Sequence, residues 1–172
     1  HDWLKIDQNS GEIKGIPKNE DVGTHTIKIR ASDPDGKYVE KEISIIIENV
    51  NDRPYVKNQI PNMKTQQDIH LSLSVKDNYF ADRDERNDPT EALSFNLETE
   101  GSSSQWLGID NLTGILSGTP KNLDVGEYYY KVKATDRRGD SVEQSFFLEV
   151  ENVNDSPTTT SFLENFIDTQ LK

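Results

Sequence analysis

One stretch of this chain is written twice. Residues 3–54 lie over residues 106–157 without a gap, and 24 of the 52 positions are identical. A repeat of this kind fixes the architecture before any propensity is weighed. A period of 103 residues (106 less 3) is too long for a solenoid turn and suits an independent domain. The 172 residues therefore divide into the later half of one unit (1–49), a whole unit (50–152) and the opening of a third (153–172).

Inside each copy the hydrophobic period is two, the mark of half-buried strands. His25, Ile27, Ile29 and Ala31 fall on one face, and Tyr128, Tyr130, Val132 and Ala134 are their mates. Ile43, Ile45 and Ile47 match Phe146, Leu148 and Val150. In the whole unit Leu71, Leu73 and Val75 alternate, as do Leu93, Phe95 and Leu97. Turn signals such as "DNLTG", "TPKNLDVG" and "DRRGD" separate these runs, and no helical apolar stripe of useful length occurs. About seven short strands in about 100 residues predict a two-sheet sandwich. Gly11, Gly15, Gly23 and Pro17 recur as Gly114, Gly118, Gly126 and Pro120. These are turn positions, where glycine permits positive φ and proline fixes φ.

With 32% hydrophobic residues the core has to be thin, and with no Cys it has no disulfide staples. The net charge of −12 is spread along the chain: 10 acidic and 7 basic residues in 1–49, 18 and 11 in 50–152, 3 and 1 in 153–172. Such a surface repels nucleic acid and anionic membrane and attracts cations. No apolar run reaches the roughly 18 residues of a membrane span, so direct membrane insertion by this segment is not expected. His1, His25 and His70 are scattered, which argues against zinc. No nucleophile elbow or phosphate loop appears, and the carboxylates map to loops rather than to a sugar cleft; the chain is not expected to be an enzyme. Trp3 and Trp106 read as core packing, and "NLT" at Asn111 is a glycosylation acceptor only in a eukaryotic secretory host.

The elements "WLGIDNLTGILSGTP", "LDVGEYYYKVKATDRRG" and "ENVND" occur in order and at proper spacing, across about 150 of the 172 residues. In them the chain resembles the dystroglycan-type cadherin-like repeat and the related Ig-like repeat of bacterial surface proteins. The resemblance implies an all-β fold of tandem seven-strand Greek-key sandwiches, an extracellular or cell-surface location in a membrane-associated protein, and roles in cell adhesion or carbohydrate attachment. It also implies calcium at the junctions between units. Ca²⁺ takes six to eight oxygens from carboxylates, amides and carbonyls. The linker supplies Asn49, Asn51 and Asp52, and the resemblance brings Asp82, Asp84 and Asp136 to it from two loops of the whole unit. Asp21 is a weaker candidate from the preceding unit, with Glu20 weaker still; a turn cap is the alternative role for Asp21 and its mate Asp124. Asp33 and Asp35 match the Asp136 region, while Asn152, Asn154 and Asp155 form half of the next junction.

The linker departs from true cadherins. Asn49 stands where an acid is usual and Arg53 where Asn is usual, and the glutamate near the start of each unit has no evident counterpart. One or two ions per junction are expected rather than three. The expected partners are neighbouring repeats of the same chain and a carbohydrate or another surface protein; the alternatives to a structural module are a carbohydrate-binding module attached to a polysaccharide-active enzyme and a homophilic adhesion module. Outward parity marks Phe147, Tyr129 and Tyr38 as carbohydrate-facing aromatics. Half a sandwich at 1–49 leaves an apolar face open, and strand exchange with the 156–172 tail of another copy would cover it.

Overall fold

The computed structural model describes residues 2–86, 89–100 and 105–156. Residues 2–47 form two antiparallel hairpins: β1 (Leu4–Ile6) with β2 (Ile13–Gly15), and β3 (Gly23–Ser32) with β4 (Tyr38–Ile47). After the linker come β5 (Tyr55–Val56), β6 (Met63–Gln66), β7 (Leu71–Ser74), the short helix α1 (Val75–Tyr79) and β8 (Phe80–Ala81). The unit continues with β9 (Ser94–Glu100), β10 (Leu107–Ile109), β11 (Ile115–Gly118), β12 (Gly126–Thr135) and β13 (Ser141–Glu151).

Residues 55–151 make the expected sandwich. One sheet has the order β10-β11-β7, the other β6-β13-β12-β9, and β5 pairs with β8 beside them. Between the sheets lie the inward residues of the alternating strands, among them Phe95, Leu116, Tyr130, Val132, Phe146 and Leu148. Each such side chain stabilises the fold by roughly 1.5–3 kcal/mol through burial. Pairing is antiparallel except between β6 and β13, which run parallel. The chain crosses from β5 to β6 near Ile60, and the buried Gln144 satisfies the backbone groups freed there. Its Oε1 accepts from Ile60 N–H at 2.9 Å, and its amide donates to the carbonyls of Asn58 and Tyr79 at 3.0 and 3.2 Å.

One sequence expectation needs correction. Val75 does not extend the β7 strand; it opens α1. Ser74 caps that helix, its hydroxyl accepting from Asp77 N–H, and the Asn78 amide donates back to Ser74 C=O. These local bonds compete with the ladder and turn the chain out of the sheet. Val75 remains fully buried, so its apolar character survives the change of element.

The recurring glycines have two distinct reasons. Gly114 takes φ +65° in a turn closed by Asp110, whose Oδ1 accepts from Leu112 and Thr113 N–H. Gly118 is an approach glycine: a Cβ there would collide with the backbone oxygen of Trp106.

Candidate functional site

The linker leaves β4 at Glu48 and enters β5 after the buried Pro54. Two loops of the sandwich meet it. The first follows β8, where Asp82 Oδ1 accepts from Asp84 N–H at 2.9 Å and so folds the acids back on one another. Asp84 Oδ2 then accepts from Asp52 N–H at 2.7 Å, which ties this loop to the linker. The second is the β12–β13 turn. There Asp136 Oδ1 accepts from Arg138 and Asp140 N–H, at 2.9 and 2.8 Å. The Asn51 amide bridges from the linker, donating to Asp136 Oδ2 at 3.0 Å and Asp140 Oδ2 at 3.2 Å.

Asp82, Asp84 and Asp136 are all buried, which is unusual for carboxylates. Burial pushes the Asp82 carboxyl above the usual carboxylate range. The Asp84 N–H bond opposes that shift, and the nearby charges of Asp84, Asp136 and Glu85 add to it. Asn49 Oδ1, Asp82 Oδ2 and Asp84 Oδ1 are buried and accept no hydrogen bond, and the same holds for Glu91 Oε2 in the 3-10 turn before β9. Such atoms carry a desolvation cost unless a donor or a cation meets them. Acceptor oxygens without donors are the chemistry of a hard-cation site, and on this test the residues fit Ca²⁺.

Among the described residues, no three His, Cys, Asp or Glu side chains stand as a ready metal cage. The hydrogen-bonded set instead mixes the carboxylates of Asp82, Asp84, Asp136 and Asp140 with the amide of Asn51. Asn49 lines a groove with Asp52, Asn19 and Val22, between the linker and the end of the preceding hairpins. Of the nearby basic residues, Arg53 donates to Ser141 C=O at 3.1 Å, while Arg83 forms an ion pair with Asp52 Oδ1 at 3.8 Å.

Asp21 takes the other role open to it. It closes a 3-10 turn at Asn19–Asp21, where its Oδ2 accepts from Lys18 N–H at 2.8 Å, and Asp124 repeats this on Lys121 at 2.8 Å. Sequence reasoning missed two residues. Asp140 shares Asn51 with Asp136; the signal was present in "DRRGD", where the hairpin turn sets the two acids against each other. Gln67 is the second, and it lies at the far end of the unit. The half-junction residues Asn152, Asn154 and Asp155 are placed there, while the 157–172 part of the tail lies outside the described residues.

The family model described as "Putative Ig domain" matches residues 53–151. The chain belongs to this Ig-like family. Desmocollin-2 of Bos taurus is 31% identical over an alignment of 149 residues that covers 81% of the chain and 16% of that protein. The Ig-like chain thus spans about a sixth of the length of that relative. Among solved structures, human mucin-like protocadherin EC1-2 superposes with a TM-score of 0.67 at 12% identity, covering 88% of the chain and 79% of that structure. The protocadherin gammaB7 EC3-6 cis-dimer structure gives 0.59 at 14%, covering 87% and 38%. These likenesses establish a cadherin-like, Ig-like β-sandwich fold. No helix among the described residues is long and apolar enough to cross a membrane.

Proposed function

We propose that the chain is a non-catalytic, calcium-binding module of an extracellular or cell-surface adhesion protein, built of tandem cadherin-like repeats with boundaries near 49 and 152. The dystroglycan-type, bacterial-surface assignment rests on motif order alone. The observation that carries the calcium reading is the trio of buried, donor-less oxygens on Asn49, Asp82 and Asp84.

Asp82 and Asp84 would hold the ion from the sandwich and Asn49 and Asp52 from the linker. Asp136 would add charge from the second loop, with Asn51 setting its orientation. When bound, Ca²⁺ supplies positive charge that cancels carboxylate repulsion and joins linker to loops. Without it, the acids repel and the linker flexes. The module would thereby act as a rigid spacer that projects a distal binding surface. Asp21 is a poor ligand on this reading, since one carboxylate oxygen already caps its turn.

Calcium titration by calorimetry and thermal melting tests the reading. A ligand at about 100 times its Kd adds about 2.7 kcal/mol, on the order of 10 °C for a domain of this size. The Asp82→Ala/Asp84→Ala variant should show no such rise. An unshifted wild-type melt at millimolar calcium would remove the calcium claim and leave the spacer role.

A second reading, carbohydrate attachment, has its own observation. Tyr129 is 56% exposed, and its ring centroid lies 5.3 Å from that of Phe147 on the outer face of the β12–β13 sheet. The groove beside them also offers Asn62, Glu127 and Ser145 for hydrogen bonding. The matched residues of the first copy are Thr26 and Ser44, so a hairpin of this family does not require the aromatics. The Tyr129→Thr/Phe147→Ser variant should fold and lose retardation in neutral-polysaccharide gels. Equal migration of variant and wild type would discard this reading.

A further inference from the structure

We propose that Gln67 is a neutral latch that orders the linker following the sandwich without a cation, and that a carboxylate in its place would make that order cation-dependent. The second half of this statement rests on the calcium reading above; the first does not.

Gln67 directly follows β6 and is only 2% exposed, although its side chain is polar. Its side-chain amide faces the linker. Its backbone N–H donates to Glu151 C=O at 3.1 Å, extending the parallel β6–β13 pair by one bond. Its Oε1 accepts from Val153 N–H at 3.2 Å, and its Nε2 donates to Asp155 Oδ2 at 3.2 Å. One amide thus grips a backbone donor and a carboxylate acceptor two residues apart. Only a side chain with both functions can do so.

The backbone around Gln67 is itself fixed. Asp68 adopts φ +62°, its N–H donates to Pro120 C=O at 2.7 Å, and its Oδ1 accepts from Lys121 Nζ at 2.7 Å. The latch is therefore anchored on the turn that carries Asp124. The residue also recurs in sequence: Gln170 stands 103 positions on, at the repeat offset (67 plus 103).

A glutamate at position 67 could still accept from Val153 N–H. It would, however, bring a carboxylate against Asp155 with no proton between them. Only a cation bridging the two would restore the linker.

Amide hydrogen exchange on the full 172-residue chain tests this, read at Val153 and controlled by the Tyr130 amide in the core of β12. In chelator, wild-type Val153 should exchange about tenfold more slowly than in Gln67→Ala, with Tyr130 unchanged in both. Gln67→Glu in chelator should resemble Gln67→Ala, and millimolar CaCl2 should return it to wild-type protection. Equal Val153 exchange in wild type and Gln67→Ala would overturn the latch. Full protection of Gln67→Glu in chelator would overturn its dependence on a neutral side chain, and failure of CaCl2 to restore it would overturn the exchange of amide for cation. A chain that binds no calcium but keeps Val153 protected removes the calcium reading and leaves the latch standing.

Discussion

Residues 3–47 and 106–150 are the same local text in two settings. Their registers agree to the residue: Leu4 faces Gly15 as Leu107 faces Gly118, and Gly23 faces Ile47 as Gly126 faces Val150. Even changed residues keep a role. Trp3 packs edge-on to His25, and Trp106 edge-on to Tyr128. His25 Nε2 and Tyr128 Oη each donate to the carbonyl of the turn aspartate four residues before, Asp21 and Asp124, at 2.6 and 2.8 Å. Burial is where the copies part. In the second copy Tyr130, Val132, Leu148 and Val150 are buried by the strands and loops of 55–100; in the first, none of the described residues 2–49 is buried. Gly114 touches Phe95, whereas the space around its mate Gly11 is open. Hairpin geometry is thus written locally, while the core needs the other half of the unit.

The largest expected effect breaks the comparison at its centre. Tyr130→Ala removes a fully buried ring and should cost about 3–5 kcal/mol in urea unfolding, enough to unfold a marginal domain. Ile27→Ala, at the matching position, should cost about 1 kcal/mol or less in the same chain, because Ile27 is only half-buried. If a segment resembling 55–100 is added ahead of His1 and covers that face, the Ile27 cost should rise toward the usual core range of about 2–5 kcal/mol. Equal costs in the two copies as they stand would show that burial in 2–49 is greater than the structure gives it.

What the sequence made legible follows the same division. The alternation of Tyr128, Tyr130 and Val132 is a local pattern, and it names the inner face of β12 without error. The junction was half legible. Asn and Asp crowd the linker, and Asp84 and Asp136 each hydrogen-bond to it. Asp21 matches them by residue type, and one of its carboxylate oxygens closes its own turn. Gln67 was hidden for the converse reason: a Gln in "TQQDIH" carries no motif, and only the parallel β6–β13 pairing brings it to Val153 and Asp155. Strand exchange with the 156–172 tail depends on residues 157–172, outside the described part. The helix at Val75 was missed because a capping serine competes with an alternation that reads correctly on either side of it.

A middle-sized effect sharpens the contrast between the acids that close turns and those proposed to hold calcium. Asp82 has its carboxyl raised by burial, so folding favours its protonated form. The folded state then binds a proton more tightly than the unfolded one across this range, and stability from this group falls as pH rises through the raised value. In chelator, Asp82→Asn should flatten that slope and raise the neutral-pH melting temperature by a few degrees. The amide Oδ1 still accepts from Asp84 N–H, so the loop is kept. With calcium present the order should reverse, the wild type melting higher. A variant less stable than wild type in chelator would mean that the Asp82 charge is already compensated within the protein.

The smallest effect should be nearly the same in both copies, because it is local. Asp124 Oδ2 accepts from Lys121 N–H, and Asp21 repeats that bond on Lys18 at the same 2.8 Å. A lost cap of this kind costs about 1 kcal/mol. Asp124→Ala should lower the unfolding free energy of the sandwich by that amount, read as a lower urea midpoint with the slope unchanged. Asp21→Ala should leave the sandwich transition where it is and instead speed amide exchange at Lys18, about fivefold for a loss of about 1 kcal/mol. Calcium affinity divides the two readings of Asp21. A turn cap leaves the titration of the 49–54 junction unchanged on substitution, and a ligand weakens it. An Asp21→Ala chain that keeps its 3-10 turn but binds calcium more weakly would put Asp21 back among the ligands.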